Sequence, residues 1–255
     1  MNPKYLLGGL VSLPLLPIMF YQGMRIKAKI PPLPEAKGLN GIANVSAKRT
    51  IRLITIGESS MAGVGVNTHE EGFTGTLAER LAGIIKVNVS WKVYAKSGFT
   101  VKRATQKIIP SIKEDKVDLI VVGLGGNDAF ELNTPSGWIK DVHELILSLR
   151  TKFGNVPIVF SNMPPIKDFP AFTPLMKFAI GNLVEIFAEE LEKVCQRTDH
   201  VYFSSEIIKV SDWIDRLGNR HSHEDFFSDG VHPSKLTYQT WANVIAKFIE
   251  KEVTL

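Results

Sequence analysis

A strand that runs straight into a tight turn, at residues 51–65, constrains the fold of this chain more than any other segment. The sequence there reads IRLITIGESSMAGVG. Its apolar residues first alternate and then run continuously, which is typical of a buried strand. Apolar residues resume at helical spacing from Phe73 to Ile85. Because ligands of open α/β sheets bind outside the carboxyl ends of the strands, Ser59 stands where a reacting hydroxyl would act.

The chain after this turn alternates between short apolar runs and longer segments with helical periodicity. Further strands are predicted at residues 87–95, 117–122, 156–160 and 201–203. Further helices are predicted at residues 101–109, 138–150, 175–195 and 236–249, the last with Ser234 as its N-cap. This alternation predicts a mainly parallel sheet with right-handed crossovers. A chain of 255 residues, 44% of them hydrophobic, builds one sizeable core.

The positive charge of the chain lies at its amino end. Residues 1–50 hold seven Lys or Arg and a single acid, whereas the rest holds 23 basic and 25 acidic residues, a net of −2. A basic tail beside an apolar segment suits a membrane surface, and the main domain lacks the basic patch that nucleic acid requires. We therefore expect no nucleic-acid partner. A single cysteine, Cys195, excludes an intrachain disulfide.

Residues 5–24 read YLLGGLVSLPLLPIMFYQGM and carry no charge. Twenty such residues are about enough for a helix to cross a hydrocarbon core. We expect residues 1–29 to form a membrane anchor with a basic flank, for instance in a bacterial inner membrane. A cleaved secretory signal is the first alternative, although no small-x-small cleavage site is evident, and a buried soluble helix is the second. The positive-inside rule favours a cytoplasmic main domain, but the side of the membrane stays open.

Residues 30–48 contain Pro31-Pro32-Leu33-Pro34 followed by Gly and Asn residues. This composition predicts a semi-rigid tether, so that the folded domain occupies residues 49–255.

The segment before the last helix provides a candidate base for Ser59. It reads Phe226-Phe-Ser-Asp229-Gly-Val-His232-Pro. An Asp three residues before a His can fold back so that its carboxylate meets the ring Nδ1–H, which leaves Nε2 free to take a proton. Ser59, His232 and Asp229 thus predict a nucleophile, a base and an orienting carboxylate. Oxyanion donors are predicted at the backbone N–H of Ser59, the backbone N–H of Gly98 and the side-chain amide of Asn127.

In their order, these residues resemble the blocks of the SGNH (GDSL-type) hydrolases, in particular bacterial membrane-anchored members. The matching segments are Gly57-Glu58-Ser59 with Gly63, the isolated Gly98, Gly125-Gly126-Asn127-Asp128, and Asp229-Gly230-Val231-His232. The resemblance spans roughly residues 51–250. It implies a three-layer α/β/α sandwich (flavodoxin-like) with a mainly parallel five-stranded sheet, and a reaction that uses no cofactor or metal.

Glu58 departs from the family, which usually has Asp before the nucleophile. Because that side chain is not part of the triad, we expect a local adjustment of the loop. Residues 161–170 also resemble a subset of bacterial members, in which they border the substrate site. Phe130, Phe169, Phe172 and Phe227 either line an apolar acyl pocket or belong to the core, and the core is the favoured interpretation.

Other sites are disfavoured by the motifs themselves. Met61 breaks the Gly-x-Ser-x-Gly elbow of α/β-hydrolases, and residues 57–63 lack the Lys-Ser/Thr of a P-loop. Gly123-Leu-Gly125 is a weak dinucleotide signal. His221 and His223 lie beside Asp225 on a polar loop, which favours solvent exposure over a metal site.

These features predict a serine esterase or acyl hydrolase that cleaves a carboxylic ester through an acyl-enzyme. Its substrate would be a small-molecule, lipid or glycan ester. An acyltransferase or deacetylase acting on envelope glycans or lipids is the first alternative. A non-catalytic binding module on the same fold is the second. Neither the acyl-chain length nor the oligomeric state follows from the sequence.

Overall fold

The computed structural model describes residues 4–5, 8 and 13–255 of the chain. Within them lies a six-stranded sheet with the strand order β1-β3-β2-β4-β5-β6. β1 pairs with β3 in antiparallel orientation, and the other neighbouring strands are parallel. The strands are β1 (Asn40–Ala43), β2 (Thr50–Gly57), β3 (Asn88–Ala95), β4 (Leu119–Gly123), β5 (Ile158–Phe160) and β6 (Val201–Phe203).

Helices connect the strands and cover both faces of the sheet. They are α1 (Leu16–Lys29), α2 (Phe73–Ile85), α3 (Val101–Lys107), α4 (Gly126–Phe130), α5 (Pro135–Phe153), α6 (Pro174–Cys195), α7 (Val210–Arg216) and α8 (Lys235–Glu252). The three-layer α/β/α sandwich expected from the family resemblance is confirmed. The sheet has six strands rather than the five expected.

Two apolar clusters show how the strands divide their side chains between the layers. In β2, Ile54 and Ile56 join the cluster that contains side chains of α3, α5 and α6. Ile51 and Leu53 join the opposite cluster, with side chains of α2, α7 and α8. β2 and β4 are therefore buried on both faces, which explains their continuous apolar runs.

The predicted elements largely agree with the observed ones. The helices predicted at residues 138–150 and 236–249 are longer at both ends, Pro135–Phe153 and Lys235–Glu252. Thr134 caps the first, and Ser234 caps the second as predicted. The helix predicted at residues 101–109 ends at Lys107, and a 3₁₀ turn at Ile109–Ser111 takes in Pro110. Proline cannot donate a backbone hydrogen bond, so the α-helix stops before it.

The structure differs from the tether predicted at residues 30–48, because this segment supplies the sixth strand. β1 pairs with the edge of β3, and Gly41 lies against the indole of Trp91, where an added Cβ would come within 2.4 Å of the ring. Upstream, Ala36 donates its backbone N–H to Ala62, 2.9 Å away. The proline-rich composition of residues 30–48 does not indicate that β3 has an unpaired edge with which this segment can form a strand.

The anchor predicted at residues 1–29 falls partly outside the described residues. Its second half forms α1, which begins at Leu16 with Pro17 in its first turn. Among the residues that the structure describes, no helix combines the length and the apolar character needed to cross a membrane.

Candidate active site

The register of the sheet brings three of the predicted loops to one row. Gly57, the last residue of β2, lies opposite Ala95 at the end of β3 and opposite Gly123 at the end of β4. The loops that carry Ser59, Gly98 and Asn127 start directly after these three residues. They therefore meet at the carboxyl edge of the sheet, where parallel α/β folds bind their ligands.

Ser59 lies in a turn that is packed against the end of β4. The backbone N–H of Glu58 donates to the Gly123 carbonyl at 3.1 Å, which continues the sheet by one residue. A Cβ at Gly57 would lie 2.5 Å from that same carbonyl oxygen. The turn closes when Val64 N–H donates to the Ser59 carbonyl at 3.1 Å. Only glycine at position 57 permits the close approach to the Gly123 carbonyl, so Gly57 helps to fix the position of the Ser59 hydroxyl.

Asp229 and His232 form the pair that their spacing predicts. The His232 Nδ1 lies 2.7 Å from Asp229 Oδ2, and Asp229 Oδ1 accepts the backbone N–H groups of Val231 and His232 at 2.9 and 2.7 Å. Burial raises the pKa of the Asp229 carboxyl, but the hydrogen bonds from His232 and Val231 outweigh it and hold the pKa below its usual value. The carboxylate only accepts, so Nδ1 carries the proton and Nε2 is left as the basic nitrogen.

The His232 loop packs against the Ser59 turn. An added Cβ on Gly65 would lie 2.4 Å from the Pro233 carbonyl oxygen, so the two backbones touch there. The buried hydroxyl of Tyr238, on α8, donates to the Val64 carbonyl at 2.7 Å. These contacts hold the segment with the candidate base against the turn with the candidate nucleophile.

Asn127 begins a polar network at the start of α4. Its side-chain Nδ2 donates to the Phe99 carbonyl at 3.1 Å, which orients the amide and leaves its second N–H available. The neighbouring Asp128 is fully buried and accepts the Val101 N–H at 3.0 Å. Burial raises the pKa of Asp128 to about 6. The loop that contains Gly98, which has a φ of +79°, is thereby tied to the Asn127 loop.

Glu58 has a structural role that the sequence did not predict. Its carboxyl oxygens accept the backbone N–H groups of Gly126 and Asn127 at 2.9 and 2.8 Å. Glu58 therefore links the Ser59 turn to the Asn127 loop. Burial raises the pKa of Glu58 to about 8, against the opposing effect of these two hydrogen bonds. The available signal was an acid directly before the candidate nucleophile Ser59, at the end of an apolar run.

Ser59, Asn127 and His232 line one cavity of about 1220 Å³. Gly98 lies next to Ser97, which also lines it. Residues 161–170 border the cavity as predicted, through Asn162, Pro164, Pro165, Ile166 and Phe169. The four candidate phenylalanines all line it as well. Phe169 is also buried in a core cluster, and Phe172 and Phe227 pack against that cluster, so these three belong to the cavity wall and to the core alike.

Those phenylalanines contact one another edge to face. Ring centroids are 5.8 Å apart for Phe130 and Phe172, 5.3 Å for Phe169 and Phe172, and 5.6 Å for Phe169 and Phe227. Such pairs are rigid and apolar. They form a continuous aromatic wall that begins near the His232 loop.

The histidines considered as metal ligands do not form a cluster. His221 Nδ1 lies 3.8 Å from Asp225 Oδ2, and the ring of His223 packs against that of Phe227. In the described part of the chain, no three His, Cys, Asp or Glu side chains are arranged to hold a metal ion.

Similar solved structures share this fold at low sequence identity. TesA is 20% identical with a TM-score of 0.55, over 78% of this chain and 97% of TesA. A member of the lipolytic G-D-S-L family from Veillonella parvula is 16% identical with a TM-score of 0.58, over 79% of this chain and 99% of its own. A family 3 carbohydrate esterase from Clostridium thermocellum is 19% identical with a TM-score of 0.57, over 79% of this chain and 96% of its own.

No curated protein matches this chain in sequence. A family model described as the GDSL-like lipase/acylhydrolase family matches residues 55–240. This match starts within β2, ends within α8 and includes Ser59, Gly98, Asn127, Asp229 and His232. It spans most of the 255 residues, and the chain therefore belongs to the GDSL-like lipase/acylhydrolase family of ester-acting hydrolases.

Proposed function

We propose that the protein is a serine esterase that cleaves a carboxylic ester through an acyl-enzyme at Ser59. One observation carries the proposal. His232 and Ser59 line the same apolar cavity, and the Asp229 carboxylate lies 2.7 Å from His232 Nδ1, which leaves Nε2 to act as the base. A nucleophile, an oriented base and an apolar site for an acyl group are what ester cleavage requires.

In the first step Ser59 Oγ attacks the ester carbonyl carbon while its proton passes to His232 Nε2. The C–O bond to the leaving alcohol then breaks, and His232 gives the proton to that alcohol. In the second step water loses a proton to His232 and attacks the acyl-enzyme, and Ser59 leaves with the returned proton. Asp229 stays ionised throughout, consistent with the three hydrogen bonds that lower the pKa of its carboxyl.

The negative charge on the carbonyl oxygen needs donors that are already in place. We assign this role to the backbone N–H groups of Ser59 and Gly98 and to the free N–H of the Asn127 side chain. The Phe99 carbonyl holds the Asn127 amide from one side, so little reorganisation is needed during the reaction. Glu58 acts as a positioning residue, since it fixes the backbone that carries Asn127.

We also propose that the protein associates with a membrane through its amino-terminal segment. Several apolar side chains on and just before α1 are exposed, namely Leu13, Ile18 and Tyr21, together with Phe20 and Met24, which also line the cavity. They lie beside Arg25, Lys27 and Lys29, which follow along the same helix. Exposed apolar side chains next to lysines and arginines suit the interface of an anionic bilayer.

The nucleophile is tested with two neighbouring serines that both line the cavity, Ser59 and Ser60. We expect Ser59→Ala to lower kcat/KM for p-nitrophenyl butyrate by about 10⁴-fold or more, because no other group can form the acyl-enzyme. Ser60→Ala is the matched control and should stay within about threefold of the wild type. Substantial activity in Ser59→Ala would refute the proposal.

The buried state of Glu58 predicts a pH-dependent stability. Its pKa is raised in the folded protein, so the folded state holds a proton that the unfolded chain has lost. Stability from this group is therefore lost as the pH rises from about 5 to above 8. We expect Glu58→Gln to lose less of its free energy of unfolding over this range than the wild type, measured by urea denaturation at about pH 5 and about pH 9.

The control for this experiment is Glu79→Gln, which changes an exposed glutamate on α2. It should show the pH slope of the wild type. Equal slopes in the wild type and Glu58→Gln would contradict the assignment. At one pH, Glu58→Gln should also be less stable by about 1–3 kcal/mol, because an amide has one acceptor oxygen for two backbone N–H groups.

Membrane association is tested by sedimentation with vesicles of phosphatidylcholine alone or mixed with phosphatidylglycerol. We expect the full chain to sediment with the anionic vesicles. The double variant Arg25→Glu/Lys29→Glu should bind them less, whereas Lys113→Glu/Lys116→Glu, before β4, makes the same charge change and should bind like the wild type. Equal binding by both double variants would argue against α1 as the contact, and no binding by the wild type would refute the proposal.

A further inference from the structure

We propose that α1 forms one wall of the acyl-binding site, so that the enzyme acts on esters of long acyl chains. This inference rests on the proposed esterase function and goes beyond it, since it names the substrate class. The helix lies upstream of residue 55, where the match to the family model begins. The wall is therefore built by a segment that the family model does not cover.

One face of α1 turns toward the cavity. Leu16, Phe20, Gly23 and Lys27 line it at intervals of three or four residues, which is the spacing of a single helix face. Met19 is 6% exposed and belongs to the same core cluster as Phe169 and Met176. α1 is thus a packed element of the site and not only a link to what precedes it.

A polar contact joins α1 to the opposite wall. The Thr173 hydroxyl, at the N-cap of α6, donates to Gln22 Oε1 at 2.7 Å. α6 contributes Met176 and Ile180 to the cavity. The two helices and the aromatic wall therefore border the same apolar cavity as Ser59.

The size and chemistry of this space indicate its occupant. A volume of about 1220 Å³ exceeds the range of roughly 300–1,000 Å³ that is usual for small-molecule sites. An acetyl group would leave nearly all of it empty. The lining away from Ser59 and His232 consists mainly of Phe, Met, Ile, Leu and Pro side chains, which fits a hydrocarbon chain and provides few partners for a glycan.

Gly23 is the position at which this inference can be tested with least disturbance to the fold. It lines the cavity, and an added Cβ would meet no atom within 4 Å. A larger side chain there enters free space within the proposed acyl site. Replacing a helical glycine also favours the helix, so the variant is not expected to unfold.

The matched control is Gly83 on α2. Its added Cβ likewise meets no atom within 4 Å, and the residue is exposed outside the cavity. Gly23→Ala, Gly23→Leu and Gly83→Leu should be compared with the wild type on p-nitrophenyl esters from acetate to dodecanoate, below their aggregation limits. Circular dichroism verifies that each variant is folded.

For the wild type we expect kcat/KM to rise with acyl length, by up to about fourfold for each added methylene that is buried. Relative to the wild type, Gly23→Leu should lose at least about tenfold more kcat/KM on dodecanoate than on acetate, with Gly23→Ala between it and the wild type. Gly83→Leu should follow the wild-type profile at every length.

Three results would overturn the inference. A wild-type kcat/KM that falls from acetate to dodecanoate would exclude a long-chain site. A Gly23→Leu profile equal to that of the wild type would remove α1 from the acyl wall, and so would an equal loss at every length. None of these resembles failure of the proposed function, which would appear as activity retained by Ser59→Ala.

Discussion

The site depends on the pairing of β2 with β3 on one side and with β4 on the other, up to the row that ends at Gly57. The three strands stop in register, and Gly57, Ala95 and Gly123 end together. The loops that follow these three strands therefore begin at the same level along the strand direction, at the carboxyl edge of the sheet. A register shift of one residue would turn every buried side chain of β2 to the opposite face, so the core itself fixes the position of Ser59.

Buried hydrogen bonds join the other loops of the site to the ends of β2, β3 and β4. Glu58 joins the Ser59 turn to the Asn127 loop, Asp128 joins the Asn127 loop to the start of α3, and Tyr238 joins α8 to the Ser59 turn. Buried hydrogen bonds of this kind are costly to leave unmade. The Asp229–His232 loop is thereby held beside the Ser59 turn without directly following a strand.

Much of this arrangement could be predicted from the sequence. β2, α2 and the Asp229–His232 pair follow from local patterns, namely a continuous apolar run, helical periodicity and a three-residue spacing. The parts that escaped prediction depend on long-range packing. β1 forms because β3 has a free edge and Trp91 accommodates Gly41, and neither fact is visible in residues 30–48 alone.

The position of α1 also depends on long-range packing that its own sequence does not reveal. An uncharged run of twenty residues predicts a membrane helix, yet part of that run packs over the cavity because an apolar face has formed there for it to cover. Its exposed side chains and its cavity-lining side chains lie on one short helix. Contact with a bilayer and binding of an acyl chain would then involve the same element, which suits a substrate delivered from a membrane.

We infer that Ser59 is the nucleophile of this site. Reaction of the full chain with a fluorophosphonate, followed by peptide mass spectrometry to locate the modified residue, tests this directly. We expect one label for each protein molecule, on Ser59, with loss of esterase activity in step with labelling. A label on Ser60 or any other residue, or full activity after Ser59 is labelled, would contradict it.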